Sequence, residues 1–338
     1  MPTRKLGPFN VSSIGLGCMN LSHAYGIPPS PVMGERVLLQ ALELGVTLFD
    51  TAALYGFGAN ETLLGHALKA YRSRFILASK CGMTGVTFPD GIKRVIDGRP
   101  ETIKLTCEAA LQRLQTDVID LYYLHRLDQR VPIEDSVGAL ADLVRDGKIR
   151  SIGLSEVSAD TLRKAHAVHP IAALQSEYSL WSRNPEIAGL ETCKQLGVTL
   201  VAFSPVGRGF LSGSLRTQAD VDAFDAKDIR RSMPRFLGDH LTANLKLLDG
   251  YAAIAREVGC TPAQLALAWV LAQGEHIIPI PGTTSIAHLQ ENLQAANVVL
   301  SPTHLQRLDA LINQRTVSGG RYSATNQAEI GTEEFQAG

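Results

Sequence analysis

The chain has 338 residues, 45% of them hydrophobic and 19% charged, with a formal net charge of −1. That supplies apolar surface for a large core at a length that α/β barrels commonly reach as one unit. The near-neutral balance, without a long basic stretch, excludes the phosphate-neutralising surface of a nucleic-acid binder, and no apolar run approaches the roughly 18–20 residues that span a bilayer.

Short apolar runs alternate with longer amphipathic stretches from one end to the other. RKLGPFNVS, residues 4–12, reads as a small hairpin capping the bottom of the fold. SIGLGC (13–18), Thr47–Ala52, Arg74–Lys80 and Asp120–His125 then read as buried strands, followed by Arg150–Glu156, Ala172–Tyr178, Thr199–Pro205 and His276–Gly282. These runs are apolar on both faces, as strands of a parallel sheet covered by helices should be. Between them, Arg99–Gln115 opens with Pro100 and Glu101, and Pro132–Lys148 opens with proline and acids and closes at Gly147; Glu186–Gly197 and Thr261–Gly274 behave alike. Proline and acid at the start with glycine at the end are helix boundaries.

About eight strand–helix units, with no linker between them, predict a (β/α)₈ TIM barrel spanning 1–338, an α/β fold with an N-terminal β-hairpin cap. An open dinucleotide-binding sheet would carry G-x-G-x-x-G after its first strand, whereas GLGCMN has no third glycine. The segment from Gly207 to about Leu241, after strand 7, is too long for an ordinary connection. Residues 316–338 form a polar tail, read either as a flap over the site or as disordered.

Cys18, Cys81, Cys107, Cys193 and Cys260 are widely spaced and form no C-x-x-C pair. Neither a disulfide framework nor a metal site is expected, and free thiols in a reducing cytoplasm are the simpler reading. The N-terminal segment lacks the uninterrupted apolar run of a signal peptide.

Barrel enzymes place their chemistry at the carboxyl ends of the strands. Those ends read Asp50, Lys80, His125, Ser155 with Glu156, Gln175 and Ser204, and Tyr55 lies just past Asp50. Taken singly, each has a bland reading: a turn cap, a snorkelling lysine, a loop tyrosine, a structural histidine. As a set they make a proton-delivery site. A free tyrosine, with a pKa of about 10, is a poor acid at neutral pH. An ammonium at Lys80 favours phenolate and lowers that pKa, Asp50 keeps the lysine charged, and His125 can hydrogen-bond a carbonyl. A phenolic acid without metal or nucleophile suits carbonyl reduction by hydride.

FDTAALYGFGANETLLGHAL, ILASKCG and DLYYLHRLD, with GLSEVS, LQSEYSLWSR, VAFSPVGRGFLSG and IPIPGTTSIAHLQEN after them, resemble segments of the aldo-keto reductase family in order and spacing. The resemblance runs from about Arg4 to Tyr322. It implies an NAD(P)H-dependent oxidoreductase acting on a small carbonyl substrate, as a monomer or a homo-oligomer. Tyr55 would be the general acid, Asp50 and Lys80 would tune it, and His125 would orient the carbonyl.

The resemblance also implies a cofactor track. The backbone of Gly17, Cys18 and Met19 would approach the cofactor beside Asp50. Ser155 and Gln175 would hold the nicotinamide carboxamide, and Phe203 would stack on its ring; Glu156 stands where many members have Asn. Ser204, Pro205, Val206, Gly207 and Arg208 would follow the pyrophosphate, and Gly282, Thr283, Thr284, His288, Glu291 and Asn292 the adenosine. NADPH-preferring members commonly carry Lys or Arg along 282–288, and this chain has none there. NADPH is the first expectation, with NADH the alternative, since hydroxyls and a helix N-terminus also bind phosphate.

Two other functions compete. A cofactor-sensing regulatory subunit would keep the track with little turnover, and the intact four-residue site argues against it. A Schiff-base aldolase would use Lys80 as a nucleophile, which requires a neutral amine that Asp50 disfavours. Trp181 reads as a wall of the substrate mouth or a half-buried loop aromatic, Trp269 as core, and the pair Arg230–Arg231 as solvated or within reach of cofactor phosphate.

Overall fold

The computed structural model describes residues 1–335. Its first two strands, β1 (Thr3–Leu6) and β2 (Phe9–Ser12), form an antiparallel hairpin. The barrel strands are β3 (Leu16–Gly17), β4 (Leu48–Asp50) and β5 (Ile76–Cys81). A second antiparallel hairpin, β6 (Met83–Phe88) and β7 (Gly91–Ile96), interrupts the series. The barrel resumes with β8 (Ile119–Leu124), β9 (Ile149–Ser155), β10 (Ile171–Glu177), β11 (Thr199–Phe203) and β12 (Ile277–Pro279).

The eight barrel strands pair in parallel, each with its neighbour in the chain order of the barrel. The first and last meet through Gly15 N–H donating to Pro279 O at 3.0 Å and Gly17 N–H to Pro281 O at 3.3 Å, so the sheet closes. Gly17 must be glycine here, because a Cβ would lie 2.7 Å from the Ile280 carbonyl oxygen. The N-terminal hairpin plugs the barrel floor: Leu6 and Val11 pack with Leu48, Ala78, Leu121, Ala173, Val201 and Ile278 in one buried cluster. Thr199 Oγ1 donates to Lys5 O at 3.0 Å, tying hairpin to barrel.

The anticipated helices form at Pro100–Leu114, Ile133–Arg145, Gly189–Leu196 and Pro262–Ala272. Thr261 and Gln264 make a capping box at the last of these, which satisfies two otherwise free N–H groups. The segment after β11 is not a bare loop but a chain of short helical turns leading into the helix Gly238–Leu245. No helix among the described residues is long and apolar enough to cross a membrane.

Candidate active site

Strand periodicity decides which side chains enter the barrel. Ala78, Tyr123, Ala173 and Val201 face inward in the apolar layer, so the residues two places further along face inward one layer higher. Those are Lys80, His125, Gln175 and Phe203, with Asp50 following Leu48 and Ser155 following Gly153 in the same parity. Gly153 is where Tyr123 needs room: a Cβ there would lie 2.3 Å from its ring.

The result is one polar cluster at the carboxyl rim. Lys80 is completely buried; its Nζ donates to the Asp50 carboxylate, to Thr51 O at 2.8 Å and to the Tyr55 hydroxyl at 3.1 Å. Gln175 Nε2 donates to the other oxygen of Asp50 at 2.8 Å. The rings of Tyr55 and His125 meet edge to face with centroids 5.8 Å apart. His125 is buried and its Nδ1 has no hydrogen-bond partner among the described residues. An unpaired buried polar atom is costly, which suits a group whose partner arrives with a ligand.

Burial, the largest influence on Tyr55, pushes its phenol above the ordinary value; Lys80 pulls it down and Asp50 pushes it further up. The lysine therefore acts in the expected direction, but burial outweighs it, and the phenol is held protonated rather than acidified. Burial also acts against charge on Lys80, yet Asp50 and Tyr55 outweigh it and raise the ammonium above its usual range. His125 is driven well below the usual histidine value by burial, reinforced by Arg126 and Lys80, so it is neutral. The cluster thus holds a protonated phenol, a charged lysine balanced by a carboxylate, and a neutral imidazole.

Asp50, Tyr55 and His125 line a cavity of about 700 Å³ at the carboxyl end of the barrel. That volume lies within the range of small-molecule and cofactor sites.

The model of the Aldo/keto reductase family matches residues 13–313. The chain belongs to the aldo-keto reductase family. A probable aldo-keto reductase from Glycine max is 44% identical over 321 residues, covering 94% of this chain and 91% of that protein. Among solved structures, a glycerol dehydrogenase from Gluconobacter oxydans has a TM-score of 0.84 at 25% identity, covering 99% of each chain. The holo form of an aldo-keto reductase from Bacillus halodurans has a TM-score of 0.75 at 28% identity, covering 96% of this chain and 99% of that one. A thermostable aldo-keto reductase in complex with the inhibitor epalrestat has a TM-score of 0.72 at 31% identity, with 92% and 100% covered. The reaction class of this aldo-keto reductase is nicotinamide-dependent carbonyl reduction.

Most residues of the expected cofactor track face the same cavity. Gly17, Met19, Ser155, Gln175 and Phe203 line it near the Tyr55–Lys80 cluster. Ser204, Pro205, Val206 and Arg208 continue the wall after β11, and Gly282, Thr283, His288, Glu291 and Asn292 line it after β12. Ser204 and Arg208 have positive φ (50° and 57°), a backbone state that non-glycine residues adopt at a cost.

Three members of the expected track do not line the cavity. The Cys18 thiol is buried in the core, with its Sγ directed at Leu16 O, so only its backbone is available. Gly207 is buried, where a Cβ would meet Trp181 at 3.1 Å, and Thr284 is exposed to solvent. Arg208 lines the cavity but is already engaged: it donates to Glu177 at 2.8 Å and to the Tyr322 hydroxyl at 2.7 Å.

Glu156 does not line the cavity. It is buried and accepts from Glu177 N–H at 2.7 Å, Arg321 at 2.8 Å and Thr332 Oγ1 at 2.8 Å, while its own carbonyl accepts from Gly331 N–H at 2.8 Å. The tail therefore docks on the rim through Glu156, and Tyr322 enters the cavity wall. Residues 336–338, the end of the tail that sequence left open between flap and disorder, lie outside the described residues.

Trp181 is neither a mouth residue nor half-buried. It is 3% exposed, stacked on Phe210 at 4.1 Å between ring centroids and edge-on to Phe236. Trp269 is fully buried, as expected for core. Arg230 lines the cavity with its guanidinium 3.6 Å from the Phe224 ring centroid and paired to Asp228, whereas Arg231 is exposed. Sequence reasoning missed His23, Met83, Arg94 and Arg126, which also line the cavity. Arg126 was findable as the residue directly after His125; Arg94 rides on the unexpected second hairpin.

Proposed function

We propose that this reductase uses NADPH and that Tyr55 delivers the proton to the carbonyl oxygen, positioned by Lys80, Asp50 and His125. The observation that carries the reading is Lys80 Nζ within hydrogen-bonding reach of both Asp50 and the Tyr55 hydroxyl, at the edge of the cavity. The donor set also suits a nicotinamide cofactor: Ser155 and Gln175 offer a hydroxyl and an amide at the rim, and Phe203 offers an apolar wall.

When bound, the cofactor supplies hydride to the carbonyl carbon. The chain's own groups do the rest. Neutral His125 donates a hydrogen bond to the substrate oxygen and fixes its direction. The Tyr55 phenol, held protonated by burial, gives up its proton as negative charge builds on that oxygen, and Lys80 stabilises the phenolate left behind. Asp50 keeps the ammonium in place, with Gln175 as its second partner. The same charge state speaks against Schiff-base chemistry, because Lys80 is held as an ammonium and an amine nucleophile must be neutral.

For the 2′-phosphate, Arg216 is the available cation. Its guanidinium lies near Gly213, a residue of the cavity wall, where a Cβ on Gly213 would meet it at 3.4 Å. This supports NADPH despite the missing basic residue along 282–288. All five cysteines are free and four are buried, which supports a reducing, cytoplasmic location.

The test is cofactor oxidation with NADPH and NADH in parallel against a panel of aldehydes and ketones. Turnover with NADPH at lower KM than NADH is expected. Tight cofactor binding with no turnover on any carbonyl would overturn the reading in favour of a cofactor-sensing subunit.

A further inference from the structure

Four arginines line the catalytic cavity: Arg94, Arg126, Arg208 and Arg230. Three are neutralised by carboxylates, Arg94 by Glu329 at 2.7 Å, Arg208 by Glu177 at 2.8 Å and Arg230 by Asp228 at 2.7 Å. Arg126 is the exception. Among the described residues no carboxylate lies within ion-pairing distance of it. Its Nη1 donates to His125 O at 2.7 Å and to Ser155 Oγ at 3.3 Å, and its Nε and Nη2 have no hydrogen-bond partner among those residues.

Among the described residues nothing else at this end of the cavity balances that charge. Asp50 is already paired with Lys80, and His125 and His23 are both held below the usual histidine range by burial and by neighbouring arginines. Glu291, another carboxylate on the wall, belongs to the helix Ile286–Gln294 at the cofactor end, where its carbonyl accepts from Gln264. A half-buried guanidinium with a free edge presents parallel donors that match a carboxylate, and leaving it unpaired is costly.

We propose that Arg126 selects the substrate, and that this substrate is a small carbonyl compound carrying a carboxylate a few bonds from its carbonyl group. The inference rests on the carbonyl-reductase reading of the Tyr55–His125 cluster. The carboxylate takes no part in the reaction. It anchors one end on Arg126 while the carbonyl carbon accepts hydride and its oxygen accepts the Tyr55 proton, giving the hydroxy acid. Arg126 follows His125 directly, so the anchor and the carbonyl-orienting imidazole are set by adjacent backbone positions at the end of β8.

The experiment compares 4-oxobutanoate with its methyl ester, the same aldehyde without the charge, at saturating NADPH. Wild-type kcat/KM is expected to favour the acid by about tenfold or more, since a site built to pair a polar group discriminates against an analogue lacking it. In Arg126→Gln that ratio collapses toward one, mainly through KM for the acid, and in Arg126→Lys part of it remains. Fluorescence titration with NADPH separates a cofactor role. A wild-type ratio near one, a ratio that survives Arg126→Gln, or an equal loss on both substrates with weakened NADPH binding overturns the proposal and leaves the reductase reading standing. Failure of wild type to reduce either compound, with NADPH bound, overturns both.

Discussion

Lys80 Nζ sits 3.1 Å from the Tyr55 hydroxyl and shares its remaining hydrogens between the Asp50 carboxylate and Thr51 O. The phenol is therefore bonded to a cation that is itself fully committed, so among the described residues its hydroxyl has one partner and is free to face a ligand. Removing that hydroxyl leaves the rest of the arrangement intact. Tyr55→Phe should fold with an unchanged melting temperature to within a few degrees and bind NADPH as tightly as wild type. Carbonyl reduction should fall by about 10²–10⁴-fold, the range for a lost general acid. Near-wild-type kcat in this variant would remove Tyr55 from the proton-transfer step.

The protonation states make a prediction about pH. Reduction requires the acid form of Tyr55, and burial raises this phenol above its ordinary value of about 10. The rate is retained below that value and lost as pH rises through it. His125 titrates well below the usual histidine value of about 6.5, so it stays neutral from there upward. The kcat/KM for reduction should thus be flat from about pH 7 to 9, where both groups hold one state. A pH–rate series with an inflection inside that window would mean that Lys80 outweighs burial in holding the Tyr55 proton.

How legible all this was depended on periodicity. Barrel strands write their parity into the sequence, so that Lys80, His125 and Gln175 stand two residues beyond inward-facing apolar positions and announce themselves as rim groups. The β6–β7 hairpin pairs with itself and leaves Val86, Phe88 and Ile92 exposed, so it has no core pattern to read. Its one signal was Pro89-Asp90-Gly91, a turn sequence between two short runs. Glu156 and Arg321 are 165 residues apart, and an irregular tail has no register that could have predicted their meeting. By its position in the sequence Arg208 reads as a phosphate ligand. What sequence could not show was Glu177, which lies at the end of the neighbouring strand β10 and reaches it first.

Cofactor choice offers a separate test. Arg216 is exposed, so it is free to pair with a 2′-phosphate, and its loss removes no buried contact. Arg216→Ala should raise KM for NADPH by about tenfold, the scale of one charge-assisted contact, and leave KM for NADH within about twofold. Equal effects on both cofactors would show that Arg216 reads something other than that phosphate.

The docked tail makes a different demand on stability. Burial disfavours a charged Glu177, but Arg208, Arg321 and Arg235 together hold its pKa down to about 2. An unfolded glutamate titrates near 4.3, so the folded form is favoured fully above that value, and this contribution is lost as pH falls from about 4.3 toward 2. Tail and rim should loosen together in that window, read as faster proteolysis of the segment after Val317. At neutral pH the same network predicts the outcome of Arg321→Met, which leaves Glu156 with Thr332 as its remaining side-chain donor and strips a cation from Glu177. Breaking a buried ion pair costs about 3–5 kcal/mol, so this variant should melt well below wild type. Adding Glu156→Gln removes the uncompensated charge and should recover part of the loss. If Arg321→Met melted like wild type, or the second substitution made matters worse, the tail would not be held by this charge pair.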